Sequence, residues 1–247
     1  MSLKKVGIIV QARMGSTRLP GKTLKKINNN ETVLGLLIKR LKLSKETHLI
    51  IIATSSNEKN KQIIELAKFY NVSSFIGSEE NVLERYYQAA KKFSLDIIIR
   101  ITSDCPFVDP EIIDEMVKYY MNNNFDYIAN TYPLLNIPAG FDVEIFSFEI
   151  LENLITIATT SEEKEHVTYY IKSNPELFSC GSYNIKDLKR FDDLWLAIDY
   201  YEDLIFCREV YKEIRERGKG FDFSIYDIIE LIEENPGLME INKDLHR

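Results

Sequence analysis

Four short apolar runs constrain this chain's fold more than anything else in it. They are KVGIIVQA (5–12), HLIIIAT (48–54), VSSFIG (72–77) and DIIIRIT (96–102), rich in β-branched residues and ended by Gly- or Ser-containing loops. Between them lie stretches with apolar residues at helical spacing: TVLGLLIKRLKLS (32–44), EKNKQIIELAKFYN (58–71) and EENVLERYYQAAKKF (79–93). Buried strands that alternate with amphipathic helices predict a parallel sheet with helices on both faces. After residue 124 the alternation loosens. FDYIANT, FDVEIFS, LFSCGSYNI and LWLAID read as strands, and FDVEIFS alternates as a half-exposed strand would. FEILENLITIA, EEKEHVTYYIKS, YEDLIFCREVYKEIRER and SIYDIIELIEENPG read as helices, and Asp109-Pro110 opens another over 109–123. The expected sheet is therefore mixed and mostly parallel. The 247 residues suit one α/β domain, with helices of 200–247 as its extension.

Bulk chemistry narrows the function classes. A net charge of −7 disfavours nucleic acid as a partner. Three widely spaced cysteines without a C-x-x-C pair give no zinc site and no disulfide framework, which fits a reduced, cytoplasmic protein. No apolar run is long enough to span a membrane.

The first strand leads into QARMGSTRLPGKT, which is one residue too long for a Walker loop. After Lys22-Thr23 the chain reads LKKINNNE, a turn rather than the helix a Walker loop opens. The segment 12–24 is expected to lie over the end of the first strand. There Gly15, Ser16 and Thr17 would turn backbone N–H groups towards phosphate oxygens. Arg13, Arg18 and Lys22 would supply positive charge. Asp104 follows the fourth strand, at the carboxyl edge where ligands of α/β sheets collect. It reads either as a metal ligand or as a turn residue. Asp142 and Glu144 share one face of a strand by the two-residue period, and read as hydroxyl or amine contacts or as a polar edge.

Several ordered motifs carry a resemblance. QARMGSTRLPGK, IIIATSSNEKN, FIGSEENVLERY, IRITSDCPFVDPEIID, DYIAN, PAGFDVEIFS, KEHVTYYI and WLAIDYYEDL together resemble the cytidylyltransferase superfamily that makes CMP-activated sugars. They come closest to its spore coat polysaccharide biosynthesis protein F branch. The resemblance spans roughly the first 210 residues. It implies a Rossmann-like three-layer sandwich with a mixed sheet, similar to GT-A glycosyltransferases. It also implies attack of a sugar hydroxyl on the α-phosphate of CTP, with release of pyrophosphate, and a homodimer as one assembly state. Mg²⁺ is the implied cofactor, with Asp104 and Asp199 as its ligands and Asp203 as a support or a helix cap. Catalytic roles fall on Arg13, Lys22 and Asp104. Nucleotide contacts fall on Gln11, Ala12, Arg13, Gly15, Ser16, Thr17, Arg18, Lys22, Gly77, Arg100 and Thr102. The sugar would meet Asn130, Asp142, Glu144, Glu165 and His166. Arg85 and Arg100 serve equally as ligand contacts or ion-pair partners. Three positions depart from the family pattern: Ser103 for Gly, Ala139 for Asp and Lys164 for Arg. Two other readings stay open, a GT-A-type transferase that uses a nucleotide sugar and a non-catalytic nucleotide sensor. The first usually carries D-x-D, where this chain has Thr102-Ser103-Asp104.

Overall fold

The structure is a computed structural model and describes residues 4–133, 137–185, 188 and 193–246. Its seven strands are β1 (Val6–Gln11), β2 (Leu49–Ser55), β3 (Ser73–Gly77), β4 (Ile97–Thr102), β5 (Tyr127–Ala129), β6 (Glu144–Ser147) and β7 (Cys180–Ser182). They form one sheet in the order β3-β2-β1-β4-β6-β5-β7. The first four strands are parallel, β6 runs antiparallel to β4 and β5, and β7 is parallel to β5. The helices are α1 (Val33–Leu41), α2 (Lys61–Phe69), α3 (Val82–Lys92), α4 (Pro110–Met121), α5 (Phe148–Ile157), α6 (Ser161–Glu165), α7 (Tyr169–Ser173), α8 (Tyr201–Glu216) and α9 (Ile225–Glu234). The expected mixed, mostly parallel Rossmann-like sheet between two helical layers is the fold observed.

Alternate residues of each strand feed opposite cores, as the pleat requires. Ile8 and Val10 pack with α1, α4, α8 and α9, whereas Ile9, Ile51 and Ile98 pack with α3, α5 and α7. Side-chain caps set the helix starts. Thr32, Asn81, Asp109 and Ser147 accept backbone N–H groups at the first turns of α1, α3, α4 and α5.

The second half departs from expectation in three places. LWLAID is not a strand. It makes one bridge, Trp195 to Ala139, then donates Ile198 N–H to the Asp104 carbonyl, so it lies across the strand ends. FDVEIFS is buried rather than half exposed, because β6 sits between β4 and β5 with both faces covered. EEKEHVTYYIKS breaks at His166 into the short helices α6 and α7.

Gly140 fixes where the LWLAID segment lies. Its φ is +105°, and a Cβ there would stand 2.5 Å from the Leu196 carbonyl carbon. Gly140→Ala is expected to lower the unfolding free energy by about 3 kcal/mol or more, since both the backbone angle and the contact are forbidden. A fall in the urea midpoint checks this.

Candidate active site

Strand order reverses between β1 and β4, and a cleft of about 290 Å³ opens at their carboxyl ends. Gln11 ends β1 directly beside Thr102, which ends β4. Both line the cleft, as do Ala12, Ser103 and Asp104.

The loop after β1 forms the cleft's other wall, and four ties hold it in place. Met14 N–H donates to Asn60 Oδ1 at 2.9 Å, and Leu19 is buried in the core. Gly21 takes a left-handed turn with φ +69°. Thr23 Oγ1 bonds Ser103 Oγ at 3.1 Å, so the serine that departs from the family glycine ties loop to floor. The turn over 22–24 is one 3₁₀ turn, not a Walker helix. Held this way, Arg13, Gly15, Ser16, Thr17, Arg18 and Lys22 all line the cleft.

Lys22 is buried, and its ammonium joins two carboxylates, Asp104, which lines the cleft, and the buried Asp199, which does not. Nζ donates to Asp104 Oδ2 at 2.7 Å and to Asp199 Oδ1 at 2.9 Å. Arg18 Nη2 reaches the same Asp199 oxygen at 2.7 Å. Burial disfavours the Lys22 cation, yet Asp104 and Asp199 outweigh it and raise its pKa. Burial likewise opposes an ionised Asp104, but the Lys22 charge and hydrogen bonds from Lys22 and Thr102 hold its carboxyl below the ordinary value. Two carboxylates converging on one positive charge are a donor set suited to a hard divalent cation that keeps water and phosphate oxygens in its other positions. Among the described residues no group of three or more His, Cys, Asp or Glu side chains could hold a metal.

Asp203 does not point at the cleft. It is fully buried and accepts the N–H groups of Asp199 and Tyr200 at 2.9 and 2.7 Å, so it orients the segment that carries Asp199.

Arg85 is buried and lines the cleft, with Nη1 donating to Ser78 O and Nε without a partner among the described residues. Burial, and the Arg13 charge beyond it, lower its pKa. Gln11 Oε1 is likewise buried and unpartnered. Both atoms are occluded from solvent, so the two residues line the cleft through their other atoms. Gly77 does not line the cleft; its bare face gives room for the Arg85 side chain, 2.9 Å from where a Cβ would sit.

Glu165 and His166 close the rim at the α6–α7 break, and Glu165 pairs with Arg13 at 3.0 Å. Both partners are well exposed, so this pair contributes little stability.

A second charged cluster lies beside β4, outside the loop cleft. Arg100 stands opposite Glu144 in the β4–β6 register and pairs with it at 3.2 Å. Lys172 and Thr168 also bond Glu144, each at 2.7 Å. Burial alone would raise the Glu144 pKa, but Arg100 and Lys172 bring it down to about 2. Asp142 next to it is pushed up to about 6, by burial first and then by Glu144 and Asp104. Arg100 thus acts here as an ion-pair partner rather than a wall of the nucleotide cleft. Asn130, expected as a sugar contact, serves here as a backbone clamp. It is fully buried, and its amide bonds the Phe141 carbonyl and the Val143 N–H at 2.8 and 2.9 Å. Those bonds fix the backbone on either side of Asp142. Sequence reasoning missed Lys172, Thr168 and Asn60, whose signals are long-range contacts rather than local spacing.

The cytidylyltransferase family model matches residues 7–233. The chain is 34% identical over 233 residues to spore coat polysaccharide biosynthesis protein SpsF of Bacillus subtilis, covering 92% of this chain and 94% of that one. Its fold superposes on a cytidylyltransferase from Leptospira borgpetersenii with a TM-score of 0.88 and 36% identity, over 96% and 97% of the two chains. A CMP:2-keto-3-deoxy-manno-octonic acid synthetase complexed with CTP shares the fold, with a TM-score of 0.66 and 13% identity over 85% of this chain and 99% of that one. A family-model match across nearly the whole chain, with relatives 34% and 36% identical over more than nine-tenths of it, places this protein in the cytidylyltransferase family.

Proposed function

We propose that the protein transfers CMP from CTP to a sugar hydroxyl and releases pyrophosphate. The sugar is of an acidic or amino type, sialic-acid-like in chemistry, and the product serves cell-surface or spore-coat polysaccharide synthesis in the cytoplasm. One observation carries this reading: Lys22 and Arg18 meet Asp104 and Asp199 at the sheet's carboxyl edge, on a loop built of phosphate-binding residue types.

The triphosphate lies along residues 12–22, where Gly15, Ser16 and Thr17 offer N–H groups. Arg13, Arg18 and Lys22 stabilise the charge that builds on the departing pyrophosphate. Arg85 and Gln11 line the part of the cleft that takes the nucleoside. Asp104 and Asp199 would hold Mg²⁺, which when bound neutralises phosphate charge. The acceptor lies towards Asp142, Glu144 and the Glu165–His166 rim. Its hydroxyl attacks the α-phosphate, a P–O bond forms, and the bond to the β-phosphate oxygen breaks. The hydroxyl proton passes to a neighbouring carboxylate or to water.

Two measurements test the reading. With Mg²⁺ present, CTP is expected to raise the thermal midpoint by several degrees, and UTP, ATP and GTP by less. CTP with candidate acidic and amino sugars should release pyrophosphate in step with CMP-sugar. Consumption of a CMP-sugar with no pyrophosphate formed from CTP would overturn it.

A further inference from the structure

The C-terminal end of the described chain is wired to the Asp199 carboxylate. Asp203, buried in the first turn of α8, holds the Asp199 and Tyr200 amides through Oδ2. Its other oxygen, Oδ1, lies 2.8 Å from Asn242 Nδ2 and 2.8 Å from His246 Nε2. Asn242 Nδ2 also donates to the Trp195 carbonyl at 3.0 Å. The His246 ring stacks on Trp195, with centroids 4.0 Å apart and planes 8° from parallel. The Trp195 end of segment 195–200 is therefore gripped directly by residues beyond 233, where the family match stops, and the Asp199–Tyr200 end through Asp203. Tyr200 in turn lies under Arg18, whose guanidinium carbon is 5.5 Å from the ring centroid while its Nη2 bonds Asp199.

We propose that His246 and Asn242 are positioning residues for the active site. They saturate one oxygen of Asp203 and so fix its other oxygen on the Asp199–Tyr200 backbone. That sets the direction of the Asp199 carboxylate towards Lys22 and Arg18. Neither residue touches the cleft. A buried carboxylate has few orientations open to it once all its acceptor positions are filled. Loss of a donor frees Asp203 to rotate, and the segment carrying Asp199 loosens with it. The inference rests on the reading of Asp199 as a site carboxylate.

The test uses the full chain with three substitutions. His246→Phe keeps a ring on Trp195 and removes the donor. His246→Gln keeps an N–H donor and removes the aromatic stack. Asp199→Asn tests the underlying reading. Pyrophosphate release gives kcat and the KM for CTP, and hydrogen exchange of the Asp199 and Tyr200 amides is followed without metal or nucleotide. His246→Phe is expected to lower kcat by about tenfold or more, the range for groups that orient a metal-binding side chain, with KM for CTP within about threefold. It should also speed exchange of the two amides, while His246→Gln stays closer to the parent in both respects. If Asp199→Asn is inactive but His246→Phe matches the parent in kcat and in amide protection, the latch is refuted and the site stands. The latch is equally refuted if His246→Phe is the better of the two variants, because stacking rather than hydrogen bonding then matters. If Asp199→Asn retains full turnover, the site reading fails at that residue and the latch fails with it.

Discussion

Asp104→Asn is expected to lower kcat for pyrophosphate release by roughly three orders of magnitude, with a much smaller effect on folding. The asymmetry follows from what the carboxylate touches. Asp104 and Asp199 together surround the Lys22 ammonium. Asparagine keeps the shape of Asp104 and an oxygen that still accepts from Nζ, so the loop stays docked. It removes one of the two negative charges that converge at the edge of β1 and β4. A divalent cation, or a lysine steering phosphate, depends on that charge and not on the shape. Lys22 loses its largest opposing charge to burial, so its pKa is expected to fall towards the ordinary lysine value. The check is paired: pyrophosphate release at saturating CTP, and the CTP-induced thermal shift with Mg²⁺ present. Glu209→Gln serves as the contrast, because its pair with Lys212 is exposed and lies outside the cleft lining, and its loss should change kcat by no more than a few-fold. A kcat for Asp104→Asn within about tenfold of the parent would remove Asp104 from the chemistry.

How much of this was legible in the sequence depends on the range of the interaction. β1, β2 and β4 could be read directly, because each is a run rich in Ile and Val, and β3 as the short stretch between two helical patterns. The segment 12–24 could be read as a basic loop over a strand end, because the NNN turn forbids a Walker helix. Asp104 and Asp199 could be read as partners only through motif resemblance, since 95 residues separate them and nothing local links the two. LWLAID shows the limit of local pattern. Its apolar residues are buried as a strand's would be, yet the backbone pairs with Ala139 and Asp104 rather than with a sheet neighbour. Gly140 was the available sign, because its left-handed angle permits the close backbone approach to Leu196. Arg100 was ambiguous for a different reason. The pleat fixes the face on which a strand-borne arginine lies but not the partner it meets there, and Glu144 is supplied from a strand 44 residues later. Asn130 sits within DYIAN, where the resemblance implied a sugar contact. Only the fold shows that two backbone groups around Asp142 use up its amide.

Asp142→Asn is expected to stabilise the fold at pH 8 and to abolish most turnover. Burial, Glu144 and Asp104 raise the Asp142 carboxyl to about 6, and Lys172 and Arg100 only partly oppose them because Glu144 already engages both. In an unfolded chain the same carboxyl ionises near 3.9. Folding therefore takes up a proton between those two values. This group favours the folded state below about pH 4, and its contribution is lost as pH rises through about 6. A difference of about two pH units corresponds to at most about 3 kcal/mol at pH 8. Asparagine carries no charge and escapes that cost. The variant should unfold at higher urea than the parent at pH 8, and the gap should largely close at pH 4. Glu144 stays ionised at pH 4 in the folded state, so the cluster around it persists across the comparison. A carboxylate that costs stability at neutral pH, yet is clamped on both sides by Asn130, is what a residue retained for function looks like. Asparagine can neither accept a proton nor balance an ammonium, so kcat/KM with an amino or acidic sugar should fall by about 100-fold or more. A variant that is less stable at pH 8 would show that Asp142 is held by attraction instead. A variant more stable at pH 8 but fully active would move the acceptor site away from β6.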